Sequence, residues 1–290
     1  MHCLGIDSKI TLSDEQLKKL SLTFNILVID FTAPDLEAVK NCEALLIHSY
    51  VSNEVLSAMK SCRYIGIRAH NLDYIDLDFC LKNNIKVTGI KAVAQQSVAE
   101  HAMAMIFALA KNLIPSHENV LSGSWRASLP LNTELYGKNI AIVGYGEIGQ
   151  RVARISKAIG MNVLVIRHRT TDERIKQIIS QSDVVSLHIP ARKENVNYFD
   201  SEKISLMKKG AILVNTSRGC ILDQDFAIEK VKDGSLAGLG LDVFAEEPDK
   251  NINIPKGFNI VTSPHVAFNT RETIGRMNDE LIKNLLKEGF

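Results

Sequence analysis

Asn139-Ile140-Ala141-Ile142-Val143-Gly144-Tyr145-Gly146-Glu147-Ile148-Gly149 is the stretch on which the fold turns. Its apolar opening is too short for a helix and rich in β-branched residues, which predicts a fully buried strand. The strand runs into glycines spaced G-x-G-x-x-G. Residues 150–159 then read as a helix, and Asn162-Val163-Leu164-Val165-Ile166 as the next strand. In the order strand, glycine turn, helix, strand, each glycine has a physical task. Gly144 makes the tight turn, Gly146 lets the backbone approach a pyrophosphate, and Gly149 lets the helix pack closely on the strand. The helix N-terminus offers unpaired N–H groups and the positive end of its dipole to an anion. The run therefore predicts a dinucleotide site at Gly144, Tyr145, Gly146, Glu147, Ile148 and Gly149.

The same alternation extends to both sides. Upstream, residues 25–29, 44–47 and 64–67 read as strands and residues 34–40 and 53–60 as helices. Downstream, strands are expected at 184–188, 211–215, 238–243 and 259–262. Short apolar runs alternating with amphipathic stretches are the pattern of parallel sheets covered by helices. Residues 97–113 carry apolar side chains around most of a helix, mainly Ala and Met, which predicts burial on several sides at a domain junction or a dimer contact. Residues 115–130, rich in Ser, Gly and Pro and holding the single tryptophan, Trp125, read as a loop.

At 290 residues, with 46% hydrophobic and 23% charged side chains, the composition suits two globular domains rather than a disordered chain. A net charge of +1 supplies no general field for nucleic acid or an anionic membrane. The N-terminus lacks the pattern of a secretory signal, and the most apolar stretch, residues 99–113, is interrupted by charge and too short to span a bilayer. A cytoplasmic protein is expected. The five cysteines, Cys3, Cys42, Cys62, Cys80 and Cys220, are scattered and lack C-x-x-C spacing, so most read as buried free thiols and no metal site is expected.

After the second strand of a dinucleotide unit, a carboxylate would accept the ribose hydroxyls of NAD. This chain has Ile166-Arg167-His168-Arg169-Thr170 instead. Arg167, His168 and Arg169 can pair with a 2'-phosphate, so NADP(H) is favoured and NAD(H) is the alternative.

Three further residues complete a chemistry: Arg218 in N-T-S-R-G, Glu247 in L-D-V-F-A-E-E-P and His265 in S-P-H. An arginine can bind a carboxylate and polarise a carbonyl, a histidine can move the proton that accompanies a hydride, and a glutamate can hold that histidine charged. A nicotinamide hydride attacking a keto carbon would leave an oxyanion for His265 to protonate and Arg218 to stabilise.

Taken in order, Q-S-V-A-E-H-A-M-A-M, the glycine run, V-N-T-S-R-G-C-I-L-D, G-L-D-V-F-A-E-E-P (residues 240–248) and S-P-H resemble the NAD(P)-dependent D-isomer-specific 2-hydroxyacid dehydrogenase family over nearly the whole chain. The resemblance implies an α/β fold of two doubly wound parallel-sheet domains. A flavodoxin-like substrate domain would comprise residues 1–94 and 267–290, and a Rossmann-like cofactor domain residues 95–266. It also implies an active site in the cleft between them, a homodimer, and a small 2-oxo or 2-hydroxy acid of the D-lactate, glyoxylate or hydroxypyruvate type as substrate. Arg218, Glu247 and His265 take the catalytic positions. His188, Pro190, Thr216 and Asp242 join the cofactor contacts, with Asp242 near the nicotinamide carboxamide, and Arg68, Ala69, His70 and Asn71 form the substrate loop. Two departures stand out. Asn71 occupies a position where the family commonly has glycine, so a left-handed turn is expected to survive on asparagine. Residues 167–182 look short by one strand-helix piece. A nucleotide-sensing protein without catalysis is the other reading of such a fold.

Overall fold

A computed structural model describes residues 1–91, 93–125, 129–247 and 253–290. The chain divides into two units, Met1–Val93 with Thr270–Phe290, and Ala94–Asn269.

The first unit runs β1 (His2–Asp7), α1 (Asp14–Ser21), β2 (Phe24–Ile29), α2 (Leu36–Val39), β3 (Ala44–Ile47), α3 (Asn53–Ala58), β4 (Tyr64–Ile67), α4 (Leu77–Lys82) and β5 (Lys86–Thr88). Its strands are all parallel in the order β2-β1-β3-β4-β5, the flavodoxin-like winding. Alternation along β3 shows why: Leu45 and Ile47 enter one core, Ala44 and Leu46 the other, so each face needs helices over it.

The second unit runs α5 (Gln95–Ala110), α6 (Leu113–Leu121), β6 (Asn139–Val143), α7 (Glu147–Ala158), β7 (Asn162–Ile166), α8 (Asp172–Gln181), β8 (Val184–Leu187), α9 (Ser201–Ser205), β9 (Ala211–Asn215), α10 (Gln224–Lys232), β10 (Leu236–Leu241) and β11 (Ile260–Thr262). The last helix, α11 (Arg271–Leu286), belongs to the first unit and buries Leu281, Ile282 and Leu285 there. The second sheet is also all parallel, in the order β11-β10-β9-β8-β6-β7. No described strand lies beyond β7, and α8 crosses straight back to β8 on the other side of β6. This is the shortened crossover expected from residues 167–182.

Several expectations are corrected. Residues 97–113 are not one helix: α5 ends at Ala110, and Asn112, left-handed at φ +46°, starts a new helix. Residues 113–121, read partly as loop, form α6, because Pro115 sits in a first turn where its missing N–H costs nothing. Residues 126–128 of that loop lie outside the described residues. Much of the apolar circumference of α5 packs into the core of the second unit. On that side Gly240 lets Met105 and Leu109 approach the sheet; a Cβ there would lie 3.3 Å from each. Exposed apolar side chains are found on α6, at Leu113, Ile114, Val120 and Leu121. The strand expected at 238–243 runs from Leu236 to Leu241, and the helix expected at 150–159 begins at Glu147, inside the glycine run.

Candidate active site

The strand order reverses between β6 and β8, and at such a switch the carboxyl ends of strands leave a crevice. The glycine run follows β6 there. Gly144 is left-handed at φ +94°, and a Cβ on it would lie 2.5 Å from the carbonyl of His188; a Cβ on Gly149 would collide with the Gly144 carbonyl. These two glycines are required by the protein's own packing. Gly146 differs, since a Cβ there meets nothing within 4 Å. Gly146 is also the N-cap of α7, whose first N–H groups lack intrahelical acceptors. Open space in front of free donors fits a pyrophosphate. Tyr145, Glu147 and Ile148 complete the turn.

Arg167, His168 and Arg169 follow β7 and are exposed, and the Arg167 guanidinium lies 4.5 Å above the Tyr145 ring. The Arg167 N–H donates to Thr170 Oγ1 at 2.9 Å, which shapes the basic turn. His188 follows β8 with its Nε2 2.8 Å from Ser186 Oγ, while Nδ1 is buried without a partner. Burial pushes its imidazole down to about 4, so the ring is neutral near neutral pH. Pro190 ends the same turn, exposed. Thr216 follows β9, and its buried Oγ1 also lacks a partner.

Three neighbouring strands carry the trio expected to be catalytic on the loops after their carboxyl ends: β9 leads to Arg218, β10 to Glu247 and β11 to His265. Asn215 shapes the first loop, accepting from Ser217 N and Oγ at 3.0 and 2.7 Å and donating to the Arg218 carbonyl at 2.9 Å. Arg218 is exposed, and its Nη1 donates only locally, to the Ser217 carbonyl. A Cβ on Gly219 would collide with the Phe244 backbone, so this loop lies against the one leading to Glu247. Glu247 is held by Phe244 N on Oε1 at 2.9 Å, and its Oε2 meets His265 Nδ1 at 2.5 Å. The ring's Nε2 is left for another partner. Phe268 packs edge-on against that ring. Pro248, the last residue of the E-E-P motif, lies outside the described residues.

His265 is left-handed at φ +54°, uncommon for a residue other than glycine. Asp242 over-determines it. That buried carboxylate accepts from Ser263 Oγ (2.6 Å), Val266 N (2.9 Å) and Ala267 N (3.0 Å), and its backbone carbonyl accepts from His265 N (2.7 Å). Ser263 also meets His101 Nε2 on α5 at 2.8 Å, and Ser97 Oγ donates to the Ala267 carbonyl at 2.6 Å. Ser97, His101 and Ser263 lie within the quoted motifs, but nothing local in the sequence gives them a task. The available signal is the i, i+4 spacing of Ser97 and His101, which puts both on one helix face.

In the first unit, Arg68 is buried, and its guanidinium donates to the Lys9 carbonyl (3.1 Å) and Asn278 Oδ1 (3.5 Å). Ala69 is half-buried; His70 and Asn71 are exposed. Asn71 is not left-handed, contrary to expectation: the loop turns on ordinary backbone, with Asn71 Nδ2 donating to Asp73 at 3.0 Å.

The family model described as D-isomer specific 2-hydroxyacid dehydrogenase, NAD binding domain, matches residues 103–267. A glyoxylate reductase from Korarchaeum cryptofilum is 34% identical over 268 residues, 87% of this chain and 81% of that protein. The chain belongs to the D-isomer specific 2-hydroxyacid dehydrogenase family. It is an oxidoreductase of that family with a domain for a nicotinamide cofactor. A glycerate dehydrogenase from Methylorubrum extorquens is 30% identical, covering 86% of this chain and 83% of its own. The apo-structure of D-lactate dehydrogenase from Escherichia coli superposes with a TM-score of 0.83 at 27% identity, covering 99% of this chain and 97% of that one. Among the described residues of this dehydrogenase, no helix is long and apolar enough to cross a membrane, and no cluster of His, Cys, Asp or Glu could hold a metal ion.

Proposed function

We propose that the chain is an NADP(H)-preferring reductase of small 2-oxo acids, interconverting them with 2-hydroxy acids in couples of the glyoxylate, hydroxypyruvate or D-lactate type. The observation that carries this reading is the His265–Glu247 pair at 2.5 Å with Nε2 left free. A nucleotide sensor would have no use for a proton donor so held. When bound, the nicotinamide supplies the hydride that reduces the keto carbon. Arg218 binds the substrate carboxylate and draws charge onto the carbonyl oxygen, where its exposed guanidinium can do both. His265 gives that oxygen a proton from Nε2 while Glu247 fixes Nδ1; in oxidation, the neutral ring takes the proton back at the same atom.

Support for the cofactor's place comes from the open ground before Gly146 and from the orphaned Thr216 Oγ1 and His188 Nδ1. A preference for NADP(H) rests on Arg167, His168 and Arg169, with Arg167 already stacked on Tyr145 to meet an adenosine phosphate. The second unit is then the cofactor domain and the first the substrate domain, which contributes the loop Arg68, Ala69, His70 and Asn71. Because the Arg68 guanidinium is engaged within its unit, its part is to hold the loop whose backbone N–H groups would meet the acid. A homodimer whose contact includes residues 97–113 is supported by the exposed apolar side chains of α6, which continue that stretch. Free buried thiols at Cys42, Cys62 and Cys80 suit a reducing cytoplasm.

A panel of 2-oxo acids assayed with NADPH and NADH tests the proposal. NADPH-dependent reduction of at least one small 2-oxo acid, faster than with NADH, is expected. NADPH binding without oxidation by any of them would favour a sensor.

A further inference from the structure

We infer that Ser97, His101 and Ser263, with Asp242, form a clamp of positioning residues that sets the place of His265. The inference rests on the proposed role of His265 as proton donor.

Hydrogen-bond arithmetic orders the chain. Asp242 Oδ1 is an acceptor, so the single Ser263 hydroxyl proton goes to it at 2.6 Å. Ser263 Oγ must then accept from His101, whose Nε2, 2.8 Å away, carries a proton. The direction is therefore His101 Nε2–H to Ser263 Oγ–H to Asp242. On the far side of His265, Ser97 Oγ donates to the Ala267 carbonyl at 2.6 Å. Ser97 and His101 lie one turn apart on one face of α5 and grip residues 263 and 267, so the segment carrying His265 is held at both ends by one helix. The glycines of β10 under α5 bring that helix close enough to do so.

The clamp has a task, because a left-handed histidine persists only where its surroundings enforce it. Asp242 has its carboxylate occupied by the segment, with both oxygens bonded to residues 263–267. It therefore serves the donor histidine rather than only the nicotinamide. Misplacing a reacting group by about 1 Å can cost about a hundredfold in rate. A loosened clamp should thus appear in kcat, with the dinucleotide site after β6 untouched.

The test compares His101→Leu, His101→Gln, Ser263→Ala and the His101→Leu/Ser263→Ala double variant, with His265→Ala alongside. The substrate is any 2-oxo acid turned over by the wild type, and NADPH affinity is followed by fluorescence. His101→Leu and Ser263→Ala should each lower kcat about tenfold or more, with KM and NADPH Kd within about twofold. The double variant should be no worse than the worse single within about twofold, as for links of one chain. His101→Gln, which keeps an N–H donor at similar reach, should recover most of the loss.

Normal kcat in either single variant, a multiplied loss in the double, or a Gln variant as impaired as the Leu variant would overturn the clamp. If His101→Leu does not fold, Ser263→Ala and His101→Gln decide alone: normal kcat in the first or a deep loss in the second overturns it. Near-normal turnover in His265→Ala would instead remove the donor role on which the clamp rests. A dead His265→Ala beside a normal His101→Leu would remove the clamp alone.

Discussion

The two sheets are wound alike, yet their switch points are finished in opposite ways. In the first unit, the crevice between β1 and β3 is closed by Asp7, whose buried carboxylate accepts from Lys9 N (3.0 Å), His48 N (2.8 Å) and Ser49 N (2.6 Å). In the second, the crevice between β6 and β8 is bordered by glycines and a helix N-terminus with open space before Gly146. A histidine follows the neighbouring strand in both, His48 after β3 and His188 after β8. Burial lowers the pKa of each, with the Arg68 charge adding to the effect at His48. Topology thus makes two crevices, and the residues at the strand ends decide which can receive an anion.

Asp7→Ala should break the first half of this comparison with the largest effect. It leaves buried N–H groups without an acceptor, at a cost of about 3 kcal/mol in stability. NADPH affinity should be unchanged, as followed by denaturant melts and fluorescence titration. A variant of normal stability with weakened NADPH binding would reverse the roles assigned to the two crevices.

Gly146→Asp attacks the other crevice. Nothing in the protein opposes the new Cβ, so the melting temperature should hold, while a carboxylate in the anion cradle weakens NADPH about a hundredfold, or about 2.7 kcal/mol. Unaltered affinity would mean that the cofactor phosphates lie elsewhere. Arg167→Asp sharpens the picture one strand over. It should move the ratio of kcat/KM for NADPH over NADH by about tenfold, or about 1.4 kcal/mol, toward NADH. A wild type that already prefers NADH tenfold would defeat the phosphate assignment.

The remaining effect, at His188, is read only against pH. Its folded pKa of about 4 lies below the unfolded value of about 6.5, so the unfolded chain binds the extra proton between those values. Stability should therefore fall as pH drops from about 6.5 toward about 4, by at most about 1.4 kcal/mol per pH unit from this residue. His188→Gln should flatten that part of the curve. An unchanged slope would show that the ring is protonated in the fold.

Much of this was legible in the sequence where one local signal dominates. The strands at 44–47, 64–67, 139–143, 162–166 and 211–215 are short runs of apolar and β-branched residues ended by polar or glycine positions, and each stands where its pattern predicts. Strand β1 escapes notice because His2, Cys3, Gly5 and Asp7 dilute its apolar character, yet it lies inside the sheet where pairing on both sides sustains it. The break between α5 and α6 depends on one left-handed asparagine, which periodicity cannot register. Burial of α5 on several sides is visible in its composition, but the identity of the surfaces within its own unit, the β10 glycines and α7, is not. At the site, the trio is legible as ordered motifs, and the structure joins Glu247 to His265. The support from Ser97, His101 and Ser263 is not, because it depends on contacts more than 160 residues apart in the chain.

The central claim is that His265, held by Glu247, moves the proton while the glycine cradle separately holds the dinucleotide. The direct measurement is kcat of His265→Ala for reduction of the preferred 2-oxo acid by NADPH, paired with the NADPH Kd of the same protein. The account predicts a fall in kcat of about a hundredfold to ten-thousandfold with Kd within about threefold of wild type. Near-normal turnover, or a loss of NADPH binding as large as the loss of rate, would contradict it.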